Sequence, residues 1–83
     1  MMDIFRKLGE IKNLSPASEE AQNLVKTLQD FITNHYYTCT DEILSGLGKM
    51  YIGDERFKEN IDKAGGTGTA EFSAKAIEIY CSK

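Results

Sequence analysis

Apolar residues along this chain recur at intervals of three and four, and nowhere do they alternate with polar residues over the length of a strand. In the first segment, roughly Asp3 to Lys12, Ile4, Phe5, Leu8 and Ile11 share one helical face. Gly9 sits inside it and weakens it by about 1 kcal/mol relative to alanine. A second and longer segment is announced by Ser15-Pro16, the order of an N-cap followed by a first-turn proline. Glu19 and Glu20 stand in its opening turns, where the helix dipole favours negative charge. Ala21, Leu24, Val25, Leu28, Phe31 and Ile32 then form a continuous stripe that predicts a helix to Asn34 or His35.

A third helix is expected from about Thr40, with Thr38 or Thr40 as its cap and Asp41 and Glu42 in its first turn. Its buried face is read as Ile43, Leu44, Leu47, Met50 and Tyr51. Gly46 and Gly48 interrupt it at a combined propensity cost of about 2 kcal/mol, which points to close helix contact or to a ligand against backbone. Gly53 breaks the run. A fourth helix follows from Asp54 to about Lys63, with Phe57 and Ile61 inward. The glycine-rich stretch from Gly65 to Gly68 reads as a flexible loop. A fifth helix, about Thr69 to Tyr80, offers Ala70, Phe72, Ala76, Ile77 and Tyr80. With no internal repeat, the pattern predicts one all-α domain over residues 1–83, its helices joined by short links.

At 83 residues the chain supports one domain of marginal stability. Its 41% apolar and 28% charged content is that of a globular chain, which excludes general disorder. The net charge of −3 and the scattered lysines and arginines leave no basic stripe to neutralise phosphates, so direct nucleic-acid binding is rejected. Two cysteines, Cys39 and Cys81, and one histidine, His35, form no zinc-binding pattern, and no metal or cofactor is expected. The cysteines are read as reduced thiols, with a disulfide as the alternative. No run has signal-peptide character or approaches the about 18 apolar residues of a membrane span, which gives a cytoplasmic expectation without membrane contact.

Catalytic constellations are thin. His35 and Cys39 invite a thiolate–imidazole reading, but no third group orients them, and a buried thiol beside a helix cap with a solvent-facing imidazole is the simpler alternative. Asp41 and Glu42 are adjacent on a helix and point apart, so they cannot flank a substrate. The glycine loop lacks the lysine–serine/threonine ending and the preceding strand of a phosphate loop. The chain is therefore read as non-enzymatic. Tyrosines are more informative, since a buried tyrosine wants a partner for its hydroxyl and several around a cleft suit a large, partly polar ligand.

A more specific signal is the run Cys39-Thr40-Asp41-Glu42 followed by Leu47-Gly48-Lys49-Met50-Tyr51-Ile52-Gly53-Asp54-Glu55-Arg56-Phe57. It resembles the core motif of TipAS-type antibiotic-recognition domains of MerR-family transcription regulators, with Lys49 in place of a glutamate. Asn60-Ile61-Asp62, Gly68-Thr69-Ala70-Glu71-Phe72 with Ala76-Ile77, and Ser15-Pro16-Ala17-Ser18-Glu19-Glu20-Ala21-Gln22 extend the resemblance over about residues 10 to 80.

The resemblance implies a small globin-like bundle of about five helices. It also implies that a thiopeptide-like or other bulky antibiotic binds in an interhelical groove, with DNA binding and any dimerisation supplied by regions absent from this chain. Tyr36, Tyr37, Cys39, Leu47, Met50, Tyr51 and Phe72 are the ligand-binding candidates. Arg56 and Phe57 are structural candidates, with Phe57 in the core and Arg56 near the surface. Residues 1–14 are expected to be loosely ordered until ligand binds. Gly46 occupies the position at which some members carry a thiopeptide-capturing cysteine, so binding is expected to be non-covalent. Thr69 and Ser73 replace apolar family residues, which predicts a looser last helix or a more polar groove. The alternative function is a free-standing helical module that sequesters drug or binds another protein.

Overall fold

The computed structural model describes residues 2–82, with side chains from Asp3 onward. Residues 1 and 83 of the expected domain lie outside the described residues. The helices are α1 (Met2–Glu10), α2 (Glu19–His35), α3 (Asp41–Gly53), α4 (Glu55–Gly65) and α5 (Thr69–Cys81), with no strand among the described residues.

Local chemistry sets the helix starts. Ser18, not Ser15, caps α2: its side chain accepts from the Ala21 N–H at 3.3 Å. Ser15-Pro16 instead makes the turn ahead of the helix, in which the Ser18 N–H donates to the Ser15 carbonyl at 2.9 Å. Proline's fixed φ suits the second residue of a turn as well as the first residue of a helix, so the dipeptide alone did not separate the two. Thr40 caps α3 through the Ile43 N–H at 3.3 Å. Asp54 closes α3 with its N–H and opens α4 with its carboxylate, which accepts from the Arg56 N–H at 3.0 Å. The start of α5 is capped from a neighbour: the Asp62 carboxylate on α4 accepts from the Ala70 N–H at 3.0 Å. Gly66 and Gly68, at φ 100° and 94°, make the left-handed turn between the two helices that side chains resist.

α5 packs against each of the other four helices, while α1 lies along α4 and α3 along α5. Phe5, Leu8, Val25, Leu28, Leu44, Ile61 and Ile77 are fully buried at the centre. The residues 1–14 expected to be loose contain α1, whose Ile4, Phe5 and Leu8 join this core. Gly9 has a purpose that propensity hides: a Cβ there would collide with the Gly65 backbone, so the two glycines let α1 and α4 touch. In α3, Gly48 faces Ile77 of α5, where an added Cβ would sit 3.0 Å from a methyl, whereas Gly46 faces open space. The expected small-residue requirement therefore holds at one of the two positions.

The expected inward face of α3 is also narrower than predicted. Leu44, Gly48 and Tyr51 are buried, while Ile43 and Met50 are exposed. Thr69 and Ser73 lie wholly inside α5's packing surface. The Thr69 hydroxyl donates to the Gly66 carbonyl at 2.7 Å, and the Ser73 hydroxyl has no partner among the described residues. Of the two effects expected from sequence, the more polar groove is not found, since neither side chain lines a cavity.

Candidate functional site

A cavity of about 370 Å³ opens where the C-terminal end of α2 stands away from α3 and α4. The gap follows from the packing, because α3 rests on α5 and α4, whereas α2 packs on α5 and α1. Gln29 ties α2 to the start of α3 and to the end of α5. Its amide donates to the Cys39 carbonyl and to the Asp41 carboxylate, both at 2.9 Å, and its carbonyl accepts from the Tyr80 hydroxyl at 2.9 Å. One side chain of α2 thereby holds the link into α3 and the end of α5.

Four of the five helices contribute to the cavity wall. Ile32 and Tyr36, with Tyr37, come from α2 and its C-terminus; Leu47, Met50 and Tyr51 come from α3; Phe57 and Ile61 come from α4; Phe5 of α1 completes the wall. Tyr51 is the pivot between core and cavity. It is 5% exposed, and its ring meets Phe5 edge-on at 5.4 Å and 88°. Phe57 lies 6.2 Å beyond it. Burial, with smaller contributions from Tyr37 and Cys39, pushes the Tyr51 hydroxyl up to about 12, so it stays a neutral donor and acceptor.

Of the ligand-binding candidates, Tyr36, Tyr37, Leu47, Met50 and Tyr51 come together in this wall. Cys39 and Phe72 do not: both are buried, Cys39 in the α2–α3 link and Phe72 in the α5 core. Phe57 reverses its expected position. It is 41% exposed and lines the cavity, because the inward side of α4 at that level is taken by Tyr51 and Ile61, while Phe57 lies at the open edge. Arg56 is exposed, its Nε 3.7 Å from the Asp54 carboxylate. Phe5, Ile32, Phe57 and Ile61 are the wall residues that sequence reasoning assigned to the core or left aside. The available signal was the i, i+4 continuation of Ile32 to Tyr36 and of Phe57 to Ile61 past the core-facing stripe.

The thiols are ill-suited to nucleophilic work. Burial first, and Asp41 second, raise the Cys39 pKa, and the same two causes with Cys39 itself raise that of Cys81. Both are free thiols. His35 stacks on Phe31 at 4.3 Å. Among the described residues no group of three or more His, Cys, Asp or Glu side chains could hold a metal ion. No helix among them is long and apolar enough to cross a membrane.

A second depression, about 410 Å³, runs between α3 and α5. Its wall carries Lys49, Glu71, Lys75 and Glu78, a charged contrast to the aromatic cavity.

The HTH-type transcriptional activator mta of Bacillus subtilis is 40% identical over 78 residues, which is 94% of this chain and 30% of that protein. The HTH-type transcriptional activators TipA of Streptomyces coelicolor and Streptomyces lividans are each 40% identical over 47 residues, 57% of this chain and 19% of theirs. The chain thus spans less than a third of the length of these relatives, all of them transcriptional activators. No solved structure matches it. A model of the TipAS antibiotic-recognition domain matches residues 1–80, and with that match across nearly its whole length this chain belongs to the TipAS antibiotic-recognition domain family.

Proposed function

We propose that this chain is the non-enzymatic effector domain of a cytoplasmic transcription regulator, and that it binds a bulky, amphiphilic, thiopeptide-like antibiotic at the cavity between α2, α3 and α4. The single observation that carries this reading is the open, largely aromatic wall in which exposed Tyr36, Tyr37, Met50 and Phe57 surround buried Tyr51, in a domain of the antibiotic-recognition family. A soluble domain rarely leaves so many large apolar side chains together at its surface without a ligand or partner to cover them. In such a regulator, DNA binding and dimerisation lie in other segments.

Binding is non-covalent in this reading. Gly46 brings no side chain to the surface of α3, and Cys39 is buried with its thiol kept protonated. Phe5 ties α1 to the site, so a ligand resting on it gives the first helix more surface to pack against.

Calorimetric titration against a panel of thiopeptides and other bulky antibiotics, with intact mass measured at saturation, tests the proposal. Saturable binding without a mass adduct is expected, accompanied by greater amide-exchange protection of residues 4 to 11. Failure of every panel member to bind would overturn it, and a stable adduct lost in Cys39→Ser would overturn its non-covalent part.

A further inference from the structure

We infer that the group entering the aromatic cavity is an uncharged, two- to three-ring aromatic moiety, so that a compact neutral aromatic molecule is a ligand in its own right. The inference rests on the proposed function and specifies the chemistry of the same site.

Three observations carry it. The first is size. A cavity of about 150 Å³ accepts one benzene ring, so the about 370 Å³ here takes two to three rings, much less than a thiopeptide macrocycle.

The second is charge. Among the described residues no Lys, Arg, Asp, Glu or His side chain belongs to the cavity wall, and its polar side-chain groups are the hydroxyls of Tyr36, Tyr37 and Tyr51. The neighbours in sequence point elsewhere: Lys49, next to Met50, belongs to the α3–α5 groove, and Arg56, next to Phe57, pairs with Asp54 in solvent. A charge carried into this wall would lose water and find no counter-ion. Tyrosine faces attract cations, but with no carboxylate in the wall they do not neutralise one.

The third is the kind of surface. Rings from α1, α3 and α4 already meet edge-on or tilted around Tyr51, at 5.4 and 6.2 Å, which leaves faces and edges for a further aromatic ring.

The probes are three compounds of similar size. N-phenyl-1-naphthylamine is neutral, 1-anilinonaphthalene-8-sulfonate is the same skeleton with an anion, and proflavine is a three-ring cation. Fluorescence titration suits the protein, which contains no tryptophan. The neutral amine should bind saturably and at least about tenfold more tightly than either charged probe. Met50→Lys and, separately, Tyr36→Lys place a cation at exposed rim positions where folding tolerates it. Each should weaken the amine about tenfold and strengthen the sulfonate. Equal binding of the amine and a charged probe by the unaltered protein overturns the inference. So does absence of amine binding while a thiopeptide binds, an outcome that leaves the proposed function standing. If neither the amine nor any antibiotic in the panel binds, the proposed function and the inference fall together.

Discussion

Tyr51 shows how one residue can serve core and site together. Its ring packs on Phe5 inside the protein, and its edge borders the cavity. Because the folded hydroxyl titrates near 12 against an ordinary 10, the native state holds that proton over a pH range in which the unfolded chain has lost it. Stability from the neutral ring is therefore complete below pH 10 and is lost as pH rises from about 10 towards 12. Urea unfolding across that range should show a shallower alkaline decline in Tyr51→Phe, which keeps the ring and has no proton to lose. Parallel declines in the two proteins would show that the phenol is not buried as described. Reading at this scale from sequence had mixed success. Tyr51 and Met50 were legible as candidates for the cavity wall because they stand on α3 in a recognisable motif. Phe57 was not, because periodicity says which residues share a face of α4 and does not say which part of that face opens to solvent.

At the scale of elements, the number and order of the helices follow from the apolar stripes, and their starts depend on caps a few residues away. The cap of α3 was narrowed to Thr38 or Thr40 by the acidic first turn that follows, and the structure uses Thr40. Ser15 was misleading because Pro16 serves a turn equally well, and Ser18 lay three residues further on. Gly9 was read only through propensity, whereas its use depends on Gly65, far away in sequence, and no local pattern reports such a contact. Two substitutions separate these meanings. Gly9→Ala should destabilise the domain by about 1–3 kcal/mol, since the added methyl forces α1 off α4, even though alanine is the better helix former. Gly46→Ala meets nothing and should stabilise by about 0.5–1 kcal/mol through propensity alone. Chemical denaturation of both variants reads the difference, and stabilisation by Gly9→Ala would refute the close approach of α1 and α4.

For the whole molecule, the cavity forms because α5 gathers the other helices while α2 packs on α5 and α1 and not along α3 or α4, with Gln29 tying it to the start of α3. That arrangement joins residues from four helices, and a one-dimensional pattern cannot supply it. The motif in α3 and the start of α4 nonetheless led to the right family and to most of the wall. Cys39 and Phe72 stand in the same motif segments, but both are buried and neither lines the cavity. The central claim is that the aromatic cavity, and not the charged α3–α5 groove, receives the ligand. Amide-shift mapping of the labelled domain with the tightest-binding antibiotic of the panel tests this most directly. The account predicts the largest shifts at Tyr36, Tyr37, Met50, Tyr51 and Phe57. Shifts centred instead on Ser45, Lys49, Glu71 and Lys75 would contradict it.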